Sequence, residues 1–165
     1  MIAIYSEPGL GQVDPYQQTT PYSCGPAALL AVMRHLGDYR LSEPELMALV
    51  GAKPEVGSSV IQVVNAARFM GMRSAVRQFS SLDEAKKWTD AGVPVIAGVA
   101  SFRLPGKRHF VVITAVDAIN AFLMDPNTPG NRRILSRSEM DSRWKDATGY
   151  DRLGVVVWRP QMAMW

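Results

Sequence analysis

The spacing of apolar residues changes near residue 92, from a helical spacing to that of β-strands. Before this point, apolar residues recur every three or four positions in short segments that are bounded by capping residues or glycines. After it, β-branched and aromatic residues form short runs separated by turn residues, which is typical of strands. Helices in the first half and a mostly antiparallel sheet in the second predict an α+β fold.

Four helices are predicted in the first half of the chain, at 25–36, 42–50, 59–70 and 81–92. Pro26 suits the first turn of the first helix, and a glycine follows its last residue. The second and fourth helices begin with Ser-x-x-Glu pairs, Ser42 with Glu45 and Ser81 with Glu84. In such a capping box, each side chain accepts a hydrogen bond from the backbone N–H of the other residue.

Strands are predicted at 73–79, 93–100, 109–116, 121–125, 133–135 and 155–158, with a short helix at 137–145. The strands at 109–116 and 121–125 are expected to form an antiparallel hairpin around a turn at 117–120. In an antiparallel pair, the start of the first strand and the end of the second lie at the same end of the sheet. His109 and Asp125 are therefore expected to lie close together.

Composition limits the possible classes of protein. With 165 residues and 47% apolar content, the chain is expected to form one domain over residues 1–165. The net charge of +3, without a basic stripe, argues against nucleic-acid binding. The first twelve residues lack the pattern of a signal peptide, and no window approaches the roughly 18 apolar residues of a membrane span, so we expect a soluble, cytoplasmic protein. One cysteine and two histidines at no ligand-like spacing predict no disulfide, no metal site and no cofactor.

Cys24, the one cysteine, directly precedes the first predicted helix. The N-terminus of a helix carries partial positive charge and free N–H groups, which favour a thiolate and hold a developing oxyanion. Gly25, which has no Cβ, is expected to leave room for a substrate carbonyl to approach the backbone. The alternative is a buried cysteine that fills the core, since free cysteine is among the most buried residue types.

A reactive thiolate needs a base, and two histidines are available. His35 lies on the same predicted helix as Cys24, about 16 Å farther along at 1.5 Å per residue, so it is excluded. His109 heads an apolar strand after a turn-rich segment, which places its side chain at the edge of the sheet, where functional side chains are usually presented. His109 is therefore the candidate base.

Asp125 is the candidate for the residue that orients His109, because a carboxylate beside a histidine fixes its tautomer and stabilises the imidazolium. Asn127 is the alternative, since an amide orients the histidine in papain-type enzymes. Asp117 belongs to the hairpin turn and is expected at the opposite end of the sheet.

An oxyanion donor is expected just before Cys24. Gln12, Gln17 and Gln18 each carry a side-chain amide that could share this role with the Cys24 N–H. The residues alone do not choose among the three.

Four parts of the sequence occur in the order and spacing of a known family: Gln18, Cys24–Ala28, His109–Val112 and Asp125–Pro126. They resemble the peptidase C39 and C39-like group of the papain-like superfamily, over most of the chain. The resemblance implies a papain-like cysteine peptidase with Gln18 as oxyanion donor, Cys24 as nucleophile, His109 as base and Asp125 as its orienting residue.

The best-known members of this family are leader-peptide peptidases that are fused to export ATPases and cut after a Gly-Gly pair. This sequence has neither a membrane helix nor a P-loop, so we expect a stand-alone domain that acts on a peptide or protein. Two alternatives stay open. The scaffold could carry an amidase or transamidase, or it could be a non-catalytic module that grips an extended peptide.

Overall fold

A computed structural model of the chain describes residues 13–145, 151–162 and 164. Its helices are α1 (Cys24–His35), α2 (Glu43–Val50), α3 (Val60–Phe69), α4 (Leu82–Asp90) and α5 (Arg137–Arg143). Its strands are β1 (Arg73–Gln78), β2 (Val95–Ala100), β3 (Arg108–Val116), β4 (Asn120–Met124), β5 (Arg132–Ser136) and β6 (Leu153–Trp158). A short 3₁₀ turn, Pro129–Asn131, precedes β5. The predicted α+β class is confirmed, and each predicted helix and strand is present with small differences at its ends.

The six strands form one antiparallel sheet in the order β1-β6-β2-β3-β4-β5. The predicted hairpin is the β3–β4 pair, in which Val112 lies opposite Met124. A hydrogen bond from the Asp117 N–H to the Asn120 carbonyl, at 3.0 Å, closes its turn. The first residues of β3 and the residue that follows β4 consequently meet at one end of the sheet.

Helices cover both faces of the sheet. Helices α1 and α3 pack against one face and α2 packs mainly on these two helices; Phe110 and Val112 of β3 belong to their core. Helices α4 and α5 pack against the other face, where Val111 and Ile113 belong to a second core. Because both of their faces are buried, β2 and β3 are apolar along almost their whole length.

Helix α1 lies deep in the first core, and its residues 25–33 are all buried. Its near-uniform apolar sequence is that of a helix enclosed on all sides. At 12 residues it is the longest helix among the described residues, none of whose helices has the length and apolar character needed to cross a bilayer.

The predicted capping boxes are formed at one helix and half formed at the other. At α2, the Ser42 hydroxyl and the Glu45 carboxylate cap each other's backbone N–H groups. At α4, the Ser81 hydroxyl accepts from the Glu84 N–H, but the Glu84 carboxylate accepts from the N–H of Ser80, at 2.7 Å. The prediction for Ser81 and Glu84 is therefore wrong in its second half, because the carboxylate reaches one residue farther back.

Candidate active site

Cys24 is the first residue of α1, and no side chain of the N-cap residue caps the start of this helix. The hydroxyl of the N-cap residue Ser23 makes no capping bond to the described helix; it bonds with the N–H and the carbonyl of Thr20, both at 3.2 Å. Pro26 is the third helical residue, where a capping serine usually finds an N–H, and proline has none. The N–H groups of Cys24 and Gly25 therefore begin the helix without a serine cap.

Gly25 has a different part from the one predicted. A Cβ at this position would lie 2.2 Å from the Ser58 Oγ and 3.3 Å from a ring carbon of Phe110. Ser58 precedes α3 and Phe110 lies on β3, so the missing side chain lets both pack directly against α1. The space on this side of Gly25 is filled by the protein itself, rather than left for a substrate carbonyl.

His109 and Asp125 meet at the end of the β3–β4 pair. The His109 Nε2 lies 2.7 Å from the Asp125 Oδ1, and the two residues are 8% and 1% exposed. Asn127 donates its backbone N–H to the same oxygen at 2.9 Å, so Asp125 contacts the ring and Asn127 supports Asp125. Asp117 lies at the other end of the hairpin, where its Oδ1 accepts two N–H groups of the turn.

Arg133 is a member of this cluster that the sequence reasoning missed. Its Nε donates to the Asp125 Oδ2 at 2.7 Å, and its guanidinium lies 4.0 Å from the centre of the Phe102 ring. Burial raises the pKa of the Asp125 carboxyl, but the hydrogen bonds from His109 and Arg133 hold it below its usual range. The pairing of Leu123 with Arg133 places Arg133 beside Asp125, and a signal for it exists only once the register of β4 and β5 is known.

The Cys24 thiol and the His109 ring are neighbours, and their interaction shifts the pKa of both groups. Burial raises the pKa of Cys24, but the hydrogen bond and charge of His109, with the N–H groups of Phe110 and Gly25, bring it below its ordinary value. Burial lowers the pKa of His109, but Asp125 and Cys24 raise it to about 9. A lowered thiol pKa beside a raised imidazole pKa favours the thiolate–imidazolium form of the pair. Because Nε2 is bonded to Asp125, Nδ1 is the ring nitrogen left for the thiol.

Gln18 lies between the Cys24 segment and the Asp125 segment. Its backbone N–H donates to the Pro126 carbonyl at 2.9 Å, and its Nε2 donates to the Thr20 carbonyl at 2.7 Å. The residue is 6% exposed, and its Oε1 is buried without a partner among the described residues. The Thr20 carbonyl can only accept a hydrogen bond, so the atom of the Gln18 amide that faces it is the nitrogen. The Gln18 Nε2 keeps a second N–H for another acceptor.

The other candidates lie elsewhere. Gln17 is exposed and accepts from the Asn131 Nδ2 at 2.9 Å, beside the turn before β5, while Gln12 lies outside the described residues. His35 is exposed at the far end of α1, with its Nε2 3.4 Å from the Gly92 carbonyl oxygen. In the part of the chain that the structure describes, no group of three or more His, Cys, Asp or Glu side chains is arranged to hold a metal ion.

The sequence matches the model of the peptidase C39 family over residues 12–148. An uncharacterized protein of Methanothermobacter marburgensis is 32% identical over 117 residues, which are 71% of this chain and 74% of that protein.

Two solved structures share the fold. The peptidase domain of Streptococcus ComA, a bifunctional ABC transporter involved in quorum sensing, has a TM-score of 0.71 and 19% identity, over 87% of this chain and 96% of that domain. A double glycine motif protease from an AMS/PCAT transporter, in complex with its leader peptide, has a TM-score of 0.70 and 19% identity, over 89% and 91% of the two chains. At these identities the two structures show the fold alone. With the family match, they establish that this chain belongs to the peptidase C39 family and has its papain-like fold.

Proposed function

We propose that this protein is a cysteine peptidase that hydrolyses a peptide or related amide bond. Cys24 is the nucleophile, His109 the general acid and base, Asp125 its orienting residue and Gln18 an oxyanion donor. One observation carries the proposal: a partly exposed thiol of lowered pKa begins an open helix and pairs with an imidazole whose pKa is about 9. A cysteine that only fills a core needs no such partner.

In the first half of the reaction, the Cys24 thiolate attacks the substrate carbonyl carbon. A sulfur–carbon bond forms, and the carbonyl π electrons move to the oxygen, where the Cys24 N–H and the Gln18 Nε2 stabilise the negative charge. The carbonyl then reforms and the carbon–nitrogen bond breaks. The His109 imidazolium gives its proton to the departing nitrogen, which leaves as a neutral amine.

In the second half, His109 is neutral and takes a proton from a water molecule. The resulting hydroxide attacks the thioester carbon, and collapse of the intermediate releases the carboxylic acid and the Cys24 thiolate. Asp125 keeps its charge throughout and holds the ring in one orientation. The reaction requires no cofactor.

An extended peptide is the substrate class that the likenesses support. One of the two similar structures holds a leader peptide, and both belong to peptidase domains. Attack of Cys24 on an amide carbonyl does not depend on the length of the chain that carries the amide, so a peptide or protein substrate suits the chemistry of the site.

The test is alkylation of Cys24 by iodoacetamide near pH 6. The lowered pKa of Cys24 favours the thiolate, so we expect fast, stoichiometric labelling of the native protein at this pH. His109→Ala removes the hydrogen bond and the charge that lower the thiol pKa, and we expect the rate constant at pH 6 to fall at least about tenfold. Intact-mass spectrometry against time measures both rates.

His35→Ala is the matched control, because it removes the other histidine from the exposed end of the same helix. Its labelling rate should equal that of the native protein. Labelling that follows an ordinary thiol pKa near 8.5 in the native protein would contradict the proposal and favour a peptide-binding module. Product analysis with and without an added amine then separates a hydrolase from a transamidase.

The pH dependence of peptide hydrolysis is expected to differ from that of alkylation above pH 9. Hydrolysis falls as the pH rises through the His109 pKa of about 9, because the imidazolium that protonates the leaving nitrogen is lost. Alkylation needs the thiolate alone, so it stays high. Both fall in acid, as the Cys24 thiolate is protonated below its lowered pKa. Rates of both reactions between pH 4 and about 10.5 measure this; parallel profiles above pH 9 would be evidence against His109 as the acid.

A further inference from the structure

Glu43, the first residue of α2, has a buried carboxylate that holds the segment in front of Cys24. Its Oε2 accepts from the Tyr16 hydroxyl at 2.8 Å, and its Oε1 accepts from the Thr19 N–H at 3.1 Å. Gln18 lies between these two residues in the chain. Both of the carboxylate oxygens are therefore used on the segment that carries the Gln18 amide.

This contact is not needed to begin α2. The reciprocal capping bonds of that helix are made by Ser42 and Glu45, and the Glu43 side chain is turned away from them toward residues 16–19. Glu43 is 1% exposed, and burying a carboxylate is costly unless donors surround it. The positive end of α2 and the two hydrogen bonds supply that compensation.

Tyr16 and Thr19 remain hydrogen-bond donors to Glu43 over the whole pH range in which the site is expected to work. Burial, the hydrogen bond to Glu43 and its negative charge raise the pKa of Tyr16 to about 12, so its hydroxyl remains protonated. The Thr19 N–H is a backbone group and always a donor. Together with the Gln18 N–H bond to Pro126 and the Gln18 Nε2 bond to Thr20, these contacts hold the backbone on both sides of Gln18 and its side-chain amide.

We propose that Glu43 is a positioning residue for acyl transfer, whose buried carboxylate fixes residues 16–19 so that the Gln18 amide meets the oxyanion. The inference rests on the proposed peptidase function. Glu43 does not touch the substrate or the reacting atoms; it acts through Gln18. Its removal should therefore slow steps that form an oxyanion and leave other reactions of Cys24 unchanged.

Two reagents separate these effects at the same sulfur atom. Acylation by p-nitrophenyl acetate passes through a tetrahedral oxyanion: the thiolate adds to the carbonyl carbon, and p-nitrophenolate leaves as the carbonyl reforms. Alkylation by iodoacetamide displaces iodide at a saturated carbon and forms no oxyanion. The ratio of the two rate constants reports the oxyanion site, independently of the natural substrate.

Glu43→Met keeps a side chain of similar length but has no oxygen to accept from Tyr16 or Thr19. We expect its acylation rate constant to fall about tenfold, since small misplacements of catalytic groups have effects of this order, with alkylation within about twofold of the native rate. Glu43→Gln should stay within about threefold in both reactions, because its amide oxygen accepts from Thr19 and its nitrogen donates to the Tyr16 oxygen.

The Gln18→Ala variant tests whether Glu43 acts through Gln18. Alone it should lower acylation by about 10²-fold, as removal of an oxyanion donor does. Adding Glu43→Met to Gln18→Ala should cost nothing further, because the route from Glu43 to the reaction passes through Gln18. Equal losses from Glu43→Met in both backgrounds, or native acylation by Glu43→Met, would overturn the inference.

A folding defect is recognised in the same experiment. If Glu43→Met unfolds the protein, its alkylation reverts to that of an ordinary thiol, and Tyr16→Phe takes its place. That variant removes one donor to Glu43 and keeps the ring, and it should lower acylation severalfold while alkylation is unchanged; an unchanged ratio of the two rates would overturn the inference. Failure of the native protein to label at pH 6 would instead count against the proposed function.

Discussion

Asp125→Asn is expected to lower peptide hydrolysis by about 10²- to 10⁴-fold and the free energy of unfolding by about 3 kcal/mol. Three donors converge on this carboxylate: the His109 Nε2 and the Asn127 N–H at Oδ1, and the Arg133 Nε at Oδ2. An amide that keeps its oxygen toward His109 turns its NH₂ group toward Arg133. Two donors then face each other in a buried position, which is costly. Steady-state kinetics and urea unfolding measure the two losses.

Arg133→Gln should restore part of both losses in the Asp125→Asn background. The amide oxygen of the introduced glutamine would accept from the new asparagine NH₂ group, and His109 would then be oriented by an asparagine, as in papain-type enzymes. If the double variant is no better than Asp125→Asn alone, Arg133 is not the reason that a carboxylate is required here.

Asp117→Asn is the matched control for the chemical change. Its Oδ1 accepts both N–H groups of the hairpin turn, and an asparagine oxygen accepts the same two bonds. We expect hydrolysis and unfolding to be unchanged. An Asp125→Asn variant that behaves like this control would refute the part assigned to Asp125.

Gly25→Ala is expected to lower stability by about 1–3 kcal/mol and acyl transfer by about 10²-fold. The added Cβ would lie 2.2 Å from the Ser58 Oγ and 3.3 Å from the Phe110 ring. Phe110 follows His109 on β3, so a shift of α1 away from Phe110 would also separate the start of α1 from His109. The rate of acyl transfer and the rate constant of alkylation at pH 6 should both fall, because the interaction between Cys24 and His109 is weakened.

Ser58→Ala should compensate for Gly25→Ala in part, since it removes the nearest atom and leaves the contact with Phe110. The Ser58 Oγ has no hydrogen-bond partner among the described residues, so its loss alone should cost little. Gly98→Ala is the control on the neighbouring strand, where a Cβ would meet its closest atom, a carbon of Arg108, at an ordinary 3.5 Å. Without recovery in the double variant, the packing of Ser58 against Gly25 cannot account for the effect.

The parts of the site that hairpin geometry determines were predictable from the sequence. Pairing of adjacent strands decides which ends meet, so the approach of His109 to Asp125 follows from two apolar runs and the turn between them. The exclusion of His35 follows from the rise of a helix. Both arguments use short-range geometry, which a sequence displays directly.

Contacts between distant segments were not predictable. Arg133 contacts Asp125 because of the register of β4 and β5. Glu43 contacts Thr19 although a loop and helix α1 separate them in the chain, and no sequence spacing indicates this contact. Gly25 was misjudged because a sequence shows that a side chain is missing but not which neighbour takes its place. These features depend on tertiary packing, which a pattern of apolar residues leaves undetermined.

The Cys24 thiol and its proposed base come from distant parts of the chain. Cys24 begins the first helix, while His109 lies on a central strand of the sheet, which the ribosome makes long afterwards. During synthesis, and in any chain that fails to fold, Cys24 therefore carries an ordinary thiol with little thiolate at neutral pH. In the proposed peptidase, folding itself would assemble the nucleophile, so the chain would stay inert until the native state is complete.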